Sequence, residues 1–276
     1  MSATERLAVM RQHWSGFAAR FTETANRRVT LQCATQMHAH MQLERATSVL
    51  EVAAGAGLGS LDVVQHLKRG NPSLKKKFVV TDFSSTMVEM ARENLKDAGT
   101  DSLEIQVMEA NGQDLVQVES GSMDRYLSSL CLQLAPEPDA ILREARRVLK
   151  DDGIAGFTIW ARPEFSSKFT IDAALEKELG LSEGKEHPNF AMGKDLDTLR
   201  ARFAAAGFNR VMIWPFLCVL ELWSGADFAE FHREAFYVDD EELRTRRYEV
   251  AKRMADEWLA KGFPIGLETY IILARP

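Results

Sequence analysis

The sequence predicts an α/β protein built on a doubly wound, mostly parallel sheet of seven strands. Three observations carry this expectation. From about residue 46 to residue 160, short apolar runs alternate with amphipathic helical stretches, the pattern of parallel strands joined by crossover helices. Two further strand-like runs follow, "FNRVMIWPF" and "LETYIILAR". Helical pattern fills the stretch between those two, so the sheet closes late in the chain.

Taken in order, residues 1–45 read as helical, with Trp14, Phe17 and Phe21 at spacings of three and four. The five core strands are expected in "TSVLEVA", "KFVVTDF", "LEIQVME", "MDRYLSSL" and "GIAGFTIW". Between them "LGSLDVVQHLKR", "SSTMVEMARENLKDAG" and "EPDAILREARRVLK" carry apolar residues three and four apart. Ser84 or Ser85 and Glu137 or Asp139 suit helix starts, while Gly99 and Gly153 are read as following helix ends. After Trp160 the chain becomes irregular before the clear helix "KDLDTLRARFAAAG". "ADFAEFHREAF" and "DDEELRTRRYEVAKRMADEWLAKG" make a helical insertion at about 224–262, expected as a lid over the active face. The reading is one domain, 1–276, with an N-terminal helical cap (1–45), a ligand-binding core (46–160) and an acceptor-side elaboration (161–276).

With 276 residues and 46 % hydrophobic content the chain can bury a full core. A net charge of −6 argues against a broad phosphate-binding surface, so no nucleic-acid partner is expected. Lys75-Lys76-Lys77 and Arg244 with Arg246-Arg247 read as solvated faces. Cys33, Cys131 and Cys218 are widely spaced and suggest neither a disulfide framework nor a metal site, so no metal is expected. No signal-like apolar core opens the chain and no apolar run is long enough to cross a membrane, so a soluble cytoplasmic protein is expected, of open oligomeric state.

In "SVLEVAAGAGLGS" an apolar strand ends in Glu51 and a glycine run, Gly55, Gly57 and Gly59, which lets the backbone approach a ligand closely. A dinucleotide fingerprint would need glycine where Ser60 stands, and the Glu51 carboxylate would repel a pyrophosphate. An acid there favours a cationic ligand. Asp82, closing the second strand, can accept hydrogen bonds from both hydroxyls of a ribose, and Asn111 with Gly112 can meet an adenine edge. A ligand with an amino-acid end, a ribose and an adenine but no phosphate satisfies all three positions. S-adenosylmethionine is that ligand.

On these residues the chain resembles the class I, Rossmann-like S-adenosylmethionine-dependent methyltransferases. "VLEVAAGAG", "VVTDFSSTMVEMAREN" and "EANGQDL" are similar to their first three motifs, and 121–160 resembles the block holding their fourth and fifth strands. Within that superfamily the chain looks closest to the type 11 group, which includes the ubiquinone and menaquinone C-methyltransferases. The resemblance implies Glu51 at the methionine amino group, Ala53, Gly55 and Gly57 along the methionine and ribose, and Asp82 on the diol. It implies Phe83 and Met87 about the adenine, Asn111 and Gly112 at its edge, and Leu130 near the methyl. Two departures stand out: Ala53 replaces the usual first glycine, and 82 − 51 = 31 residues separate the two acids, against about 20 in a minimal unit.

The acceptor is expected to be a small apolar or aromatic molecule, methylated on O, S, N or C by in-line displacement, with S-adenosylhomocysteine as product. Trp14, Phe17, Gln133, Trp160 and Arg162 are its candidate contacts. No catalytic residue is assigned: Gln133 and Leu134 stand where relatives often carry histidine, while His13, His38, His40 and His187 are isolated. Cys131 reads as a packed thiol. Trp223, Phe228, Phe231, Phe236, Tyr237, Met254 and Trp258 suit a greasy wall or a core equally. The competing readings are an NAD-dependent oxidoreductase and a protein that binds S-adenosylmethionine without catalysis.

Overall fold

A computed structural model describes residues 3–236 and 238–276, so Tyr237 lies outside the described residues. Seven strands form one sheet in the order β3-β2-β1-β4-β5-β7-β6, with β1 Ser48–Val52, β2 Lys76–Asp82, β3 Leu103–Glu109, β4 Met123–Ser129, β5 Leu149–Trp160, β6 Arg210–Leu220 and β7 Ile265–Arg275. Strands β1 to β5 pair in parallel, and β7 runs antiparallel to both β5 and β6. The expected seven-stranded, mostly parallel sheet is present.

The helices are α1 Ala3–Phe21, α2 Leu31–His40, α3 Leu58–Arg69, α4 Ser85–Leu95, α5 Pro138–Val148, α6 Ser167–Glu178, α7 Leu196–Ala205, α8 Gly225–Ala235 and α9 Glu241–Leu259. The Ser84 hydroxyl caps α4 by accepting from the Met87 N–H, and Pro138 opens α5, where its missing donor costs nothing. One apolar layer packs Leu50, Tyr126, Phe157 and Phe203 under α5 and α7. The other packs Met37, Val64, Phe78 and Ile271 under α2 and α3.

Two local readings change. Gly153 does not follow a helix end; it lies inside β5, which starts directly after α5, and a Cβ there would meet Leu149 Cδ2 at 2.8 Å. The register between β4 and β5 shifts nearby, so the glycine serves a bulged strand start. The second change is in the N-terminal cap. Between α1 and α2 the backbone widens into a π-helix, Thr22–Thr30, a form that apolar periodicity does not announce.

The insertion α8–α9 packs on α6 and β7 through Phe228, Ala251, Ala255 and Ile265. It also meets the cap: Arg20 donates to the Ala235 carbonyl and Arg28 lies over the Phe231 ring. Among the described residues the expected lid therefore backs the N-terminal cap, which itself covers the face where the parallel strands end. Trp223 is exposed, and no described helix is long and apolar enough to cross a membrane.

Candidate active site

A cavity, partly open to solvent, lies over the carboxyl ends of β1, β2 and β4. This is where an open α/β sheet places its ligand crevice. Its floor is Glu51, Val52, Ala53, Gly55 and Gly59 from β1 and the following turn, Asp82, Phe83 and Met87 after β2, and Asn111 and Gly112 after β3. Its roof comes from the cap, with Leu7, Met10, Trp14 and Phe21 on α1, Asn26 and Thr30 on the π-helix, and Leu31 and Ala34 on α2. Ser129, Leu130, Cys131, Leu134 and Pro136 close the far end.

Two acids lie in this floor with no cation bonded to them, Glu51 buried and Asp82 half-buried. Glu51 is 5 % exposed and accepts from Ser60 Oγ at 2.6 Å, so the residue that breaks the dinucleotide pattern is the one that holds the acid. Burial pushes its carboxyl above the usual range; the His38 imidazole and the Ser60 hydroxyl oppose that, while Asp82 and Asp62 add to it. Asp82 accepts from the Gly55 N–H at 2.8 Å and the Ser84 N–H at 2.9 Å. Its carboxyl is likewise raised by burial, against the backbone N–H groups of Ser84, Gly55 and Phe83. A carboxylate offers about four lone-pair positions, so each acid keeps unused acceptor capacity.

Backbone conformation is held in unusual regions here. Ala53 has φ 59° and Leu130 φ 52°, two of the three non-glycine residues with positive φ among those described. The alanine that replaces the usual glycine thus adopts the glycine conformation, at a cost of about 1–2 kcal/mol. The Gln133 side chain donates to the Leu130 carbonyl at 3.2 Å and steadies the second of these residues. Gly112 is a packing requirement, since a Cβ there would stand 2.7 Å from Val52 Cγ1.

Ten of the sequence-level candidates line the cavity: Glu51, Ala53, Gly55, Asp82, Phe83, Met87, Asn111, Gly112, Leu130 and Trp14. Five do not. Gly57, at φ 75°, caps the start of α3, and a Cβ there would sit 3.1 Å from Ala91 Cβ, so it serves helix packing. Phe17 stacks on His13 and Trp14 along α1. Gln133 donates its Nε2 to its own loop, while its Oε1 is buried with no partner among the described residues. Trp160 belongs to an aromatic cluster with Phe169, His187 and Phe190, at ring centroid distances of 4.2, 4.8 and 4.9 Å. Arg162 is locked in a two-pronged ion pair with Glu268, at 2.8 and 2.6 Å, and lies over Phe165.

Several lining residues escaped sequence reading, notably Asn26, Thr30, Ser129, Leu134 and Pro136. Asn26 and Thr30 had a signal in their four-residue spacing, which puts both on one helix face toward the cavity. His38 is not a lining residue; it is buried with Nδ1 2.9 Å from Asp62 Oδ2. Cys131 lines the wall with its thiol pushed up to about 12, by burial first and then by Asp82.

Residues 50–157 match the family profile described as "Methyltransferase domain", of type 11. Those residues are a class I methyltransferase domain. The matching part is 30 % identical over 125 residues to 2-methyl-6-phytyl-1,4-hydroquinone methyltransferase 1, chloroplastic, of rice (Oryza sativa subsp. japonica), covering 45 % of this chain and 34 % of the relative. It is 29 % identical over 167 residues to the malonyl-[acyl-carrier protein] O-methyltransferase of Geobacter sulfurreducens, covering 60 % of this chain and 57 % of the relative. The chain therefore spans between a third and somewhat over half of these curated relatives. Among solved structures, the fold is shared with a Haloferax volcanii methyltransferase complexed with the Trm112 activator (TM-score 0.58, 19 % identity, 96 % of both chains). It is also shared with the [4+2]-cyclase SpnF (TM-score 0.53, 16 % identity, 89 % of this chain and 80 % of that one). The methyltransferase domain is thus carried on a fold that also supports cyclisation.

Proposed function

We propose that this protein transfers the methyl group of S-adenosylmethionine to a small, largely apolar or aromatic molecule held under the N-terminal cap. The observation that supports this best is one cavity with two chemically different halves. The half over β1 to β3 holds Glu51 and Asp82, the backbone at Gly55 and the amide of Asn111. The half under the cap is walled by Leu7, Met10, Phe21, Leu31 and Leu134.

The residues present fit the cofactor. Glu51 would take the amino group, relieving a burial that now leaves its charge uncompensated. Asp82 would take the ribose hydroxyls on its free lone pairs, Phe83 and Met87 would flank the adenine, and Asn111 would offer its Nδ2, which has no partner among the described residues. When bound, S-adenosylmethionine supplies a sulfonium methyl that leaves as a neutral thioether when the acceptor takes it. The protein's part is to hold the acceptor atom in line and to exclude water, which alone can lower the barrier by several kcal/mol. Cys131, with its thiol near 12, stays protonated at neutral pH, and no histidine lines the cavity among the described residues. Apart from the two cofactor acids, the described lining therefore supplies no base, and a phenol, enol or thiol acceptor would give up its proton to solvent as its O–CH₃ or S–CH₃ bond forms. The rice relative's name specifies a hydroquinone, a molecule of that kind.

Isothermal titration with S-adenosylmethionine, S-adenosylhomocysteine and NAD tests the cofactor, followed by labelled-methyl transfer to phenols, quinols and thiols. Tight binding of both adenosyl ligands and transfer to at least one acceptor class is expected. Binding of NAD alone would overturn the reading. Adenosyl binding without turnover on any class would point to a protein that holds the cofactor without catalysis.

A further inference from the structure

We infer that Asn26 and Thr30, on the π-helical segment, form a hydroxyl-recognising subsite at the cap end of the cavity, and that its ligand is an uncharged, otherwise apolar phenol or enol. Calling that ligand the methyl acceptor rests on the proposed function; the subsite itself is a property of the cavity wall. Asn26 is only 7 % exposed and lines the cavity. Its Oδ1 accepts from Thr30 Oγ1 at 2.9 Å, which fixes the amide so that the two Nδ2 hydrogens remain. No described residue accepts from them. Because Asn26 lines the cavity, a ligand oxygen can accept from this amide.

Thr30 completes the pattern. Its hydroxyl hydrogen is committed to Asn26, through Oδ1 or the main-chain carbonyl at 3.4 Å, so its oxygen keeps a lone pair facing the same space. The pair therefore presents a donor and an acceptor side by side, the complement of a hydroxyl, which accepts and donates. At the subsite itself, the amide and hydroxyl offer an anionic ligand no cation. The charged residues lining the cavity among those described are Glu51 and Asp82, both acids. Arg11, the nearby cation, is engaged by Glu109 at 2.9 Å and by the Phe83 ring. A carboxylate or phosphate entering the cavity would meet two acids and no free cation. The subsite lies on the π-helix, and such segments are rare in proteins and recur at functional positions.

The test titrates 1-naphthol, naphthalene and 1-naphthoate into the full-length protein without any adenosyl ligand, for wild type, Asn26→Leu and Thr30→Val. Leucine keeps the side-chain volume while removing the donor, and valine is the isostere of threonine. Circular dichroism checks that each variant folds, and a separate titration reads S-adenosylhomocysteine affinity. Wild type should bind 1-naphthol about tenfold more tightly than naphthalene and 1-naphthoate most weakly, the scale of one or two buried hydrogen bonds. Both variants should lose most of that preference while keeping naphthalene and S-adenosylhomocysteine affinity. The inference is overturned if wild type binds 1-naphthol no better than naphthalene, if 1-naphthoate binds best, or if the variants weaken all three probes alike. Failure of S-adenosylhomocysteine to bind wild type, with the naphthol preference intact, would remove the methyltransferase reading and leave the subsite standing.

Discussion

The two ends of the parallel strands treat their acids in opposite ways. At the amino ends of β1 and β4, Asp124 accepts from the Thr47 and Ser48 N–H groups at 2.7 and 2.9 Å, from the Thr47 hydroxyl at 2.9 Å and from Lys150 at 2.6 Å. Burial alone would raise its carboxyl, but Lys150 and these donors hold it well below the usual range. At the carboxyl ends Glu51 and Asp82 have fewer donors and no bonded cation, and both are raised by burial. The difference separates two uses of one functional group. Asp124 is saturated by its donors, whereas Glu51 and Asp82 keep acceptor capacity facing the cavity.

The comparison can be broken or sharpened by substitution. The largest effect is expected at Asp82: Asp82→Ala should weaken S-adenosylhomocysteine binding by roughly a hundredfold or more, as two charge-assisted hydrogen bonds at about 1.5–3 kcal/mol each are lost. Calorimetric titration reads it, and a change under threefold would remove Asp82 from the ligand site. Asp124→Asn comes next and should cost about 2 kcal/mol of stability, a value reduced for the partial exposure of Lys150, with cofactor affinity unchanged. The wild-type contribution is present above the unfolded aspartate pKa and disappears as pH falls through the depressed folded value, so thermal melts of the two proteins should converge in acid.

Glu51→Gln should do the reverse. A carboxyl raised in the folded state favours folding fully below its unfolded pKa, and that contribution is lost as pH rises through the folded value. The variant of the free protein should therefore melt roughly 2–4 °C above wild type at neutral pH, with the gap closing below about pH 4.5, while cofactor affinity falls. A lower melting temperature for the variant at pH 7 would show that Glu51 is already well satisfied. The smallest effect is at Ala53, where Ala53→Gly exchanges left-handed strain against extra freedom of the unfolded chain. A rise of roughly 1–3 °C in Tm is expected, and a fall would mean that φ 59° is not strained here.

Much of this organisation was legible in the residues. The strands announced themselves because buried parallel strands are short apolar runs, and the helices because their apolar residues recur every three or four positions. Glu51 and Asp82 stood out because an acid at the end of an apolar strand has few reasons to be there. Trp160 and Arg162 misled because position after a strand says nothing of direction. Trp160 turns to Phe169 and Phe190, and Arg162 to Glu268, a residue of β7 more than a hundred positions away. The 224–262 insertion likewise announced its helices but not which surface they cover.

From its residues alone the chain specified the sheet, its crossover helices, the glycine turn and the two acids that line the cavity. These are properties of local pattern and of charge placed at strand ends. The tertiary structure decided the rest: that the cap rather than the insertion roofs the cavity, that the backbone widens at Thr22–Thr30, and that Ser60 holds Glu51. Each of these depends on which distant surfaces meet, and on which polar groups burial then leaves without a partner.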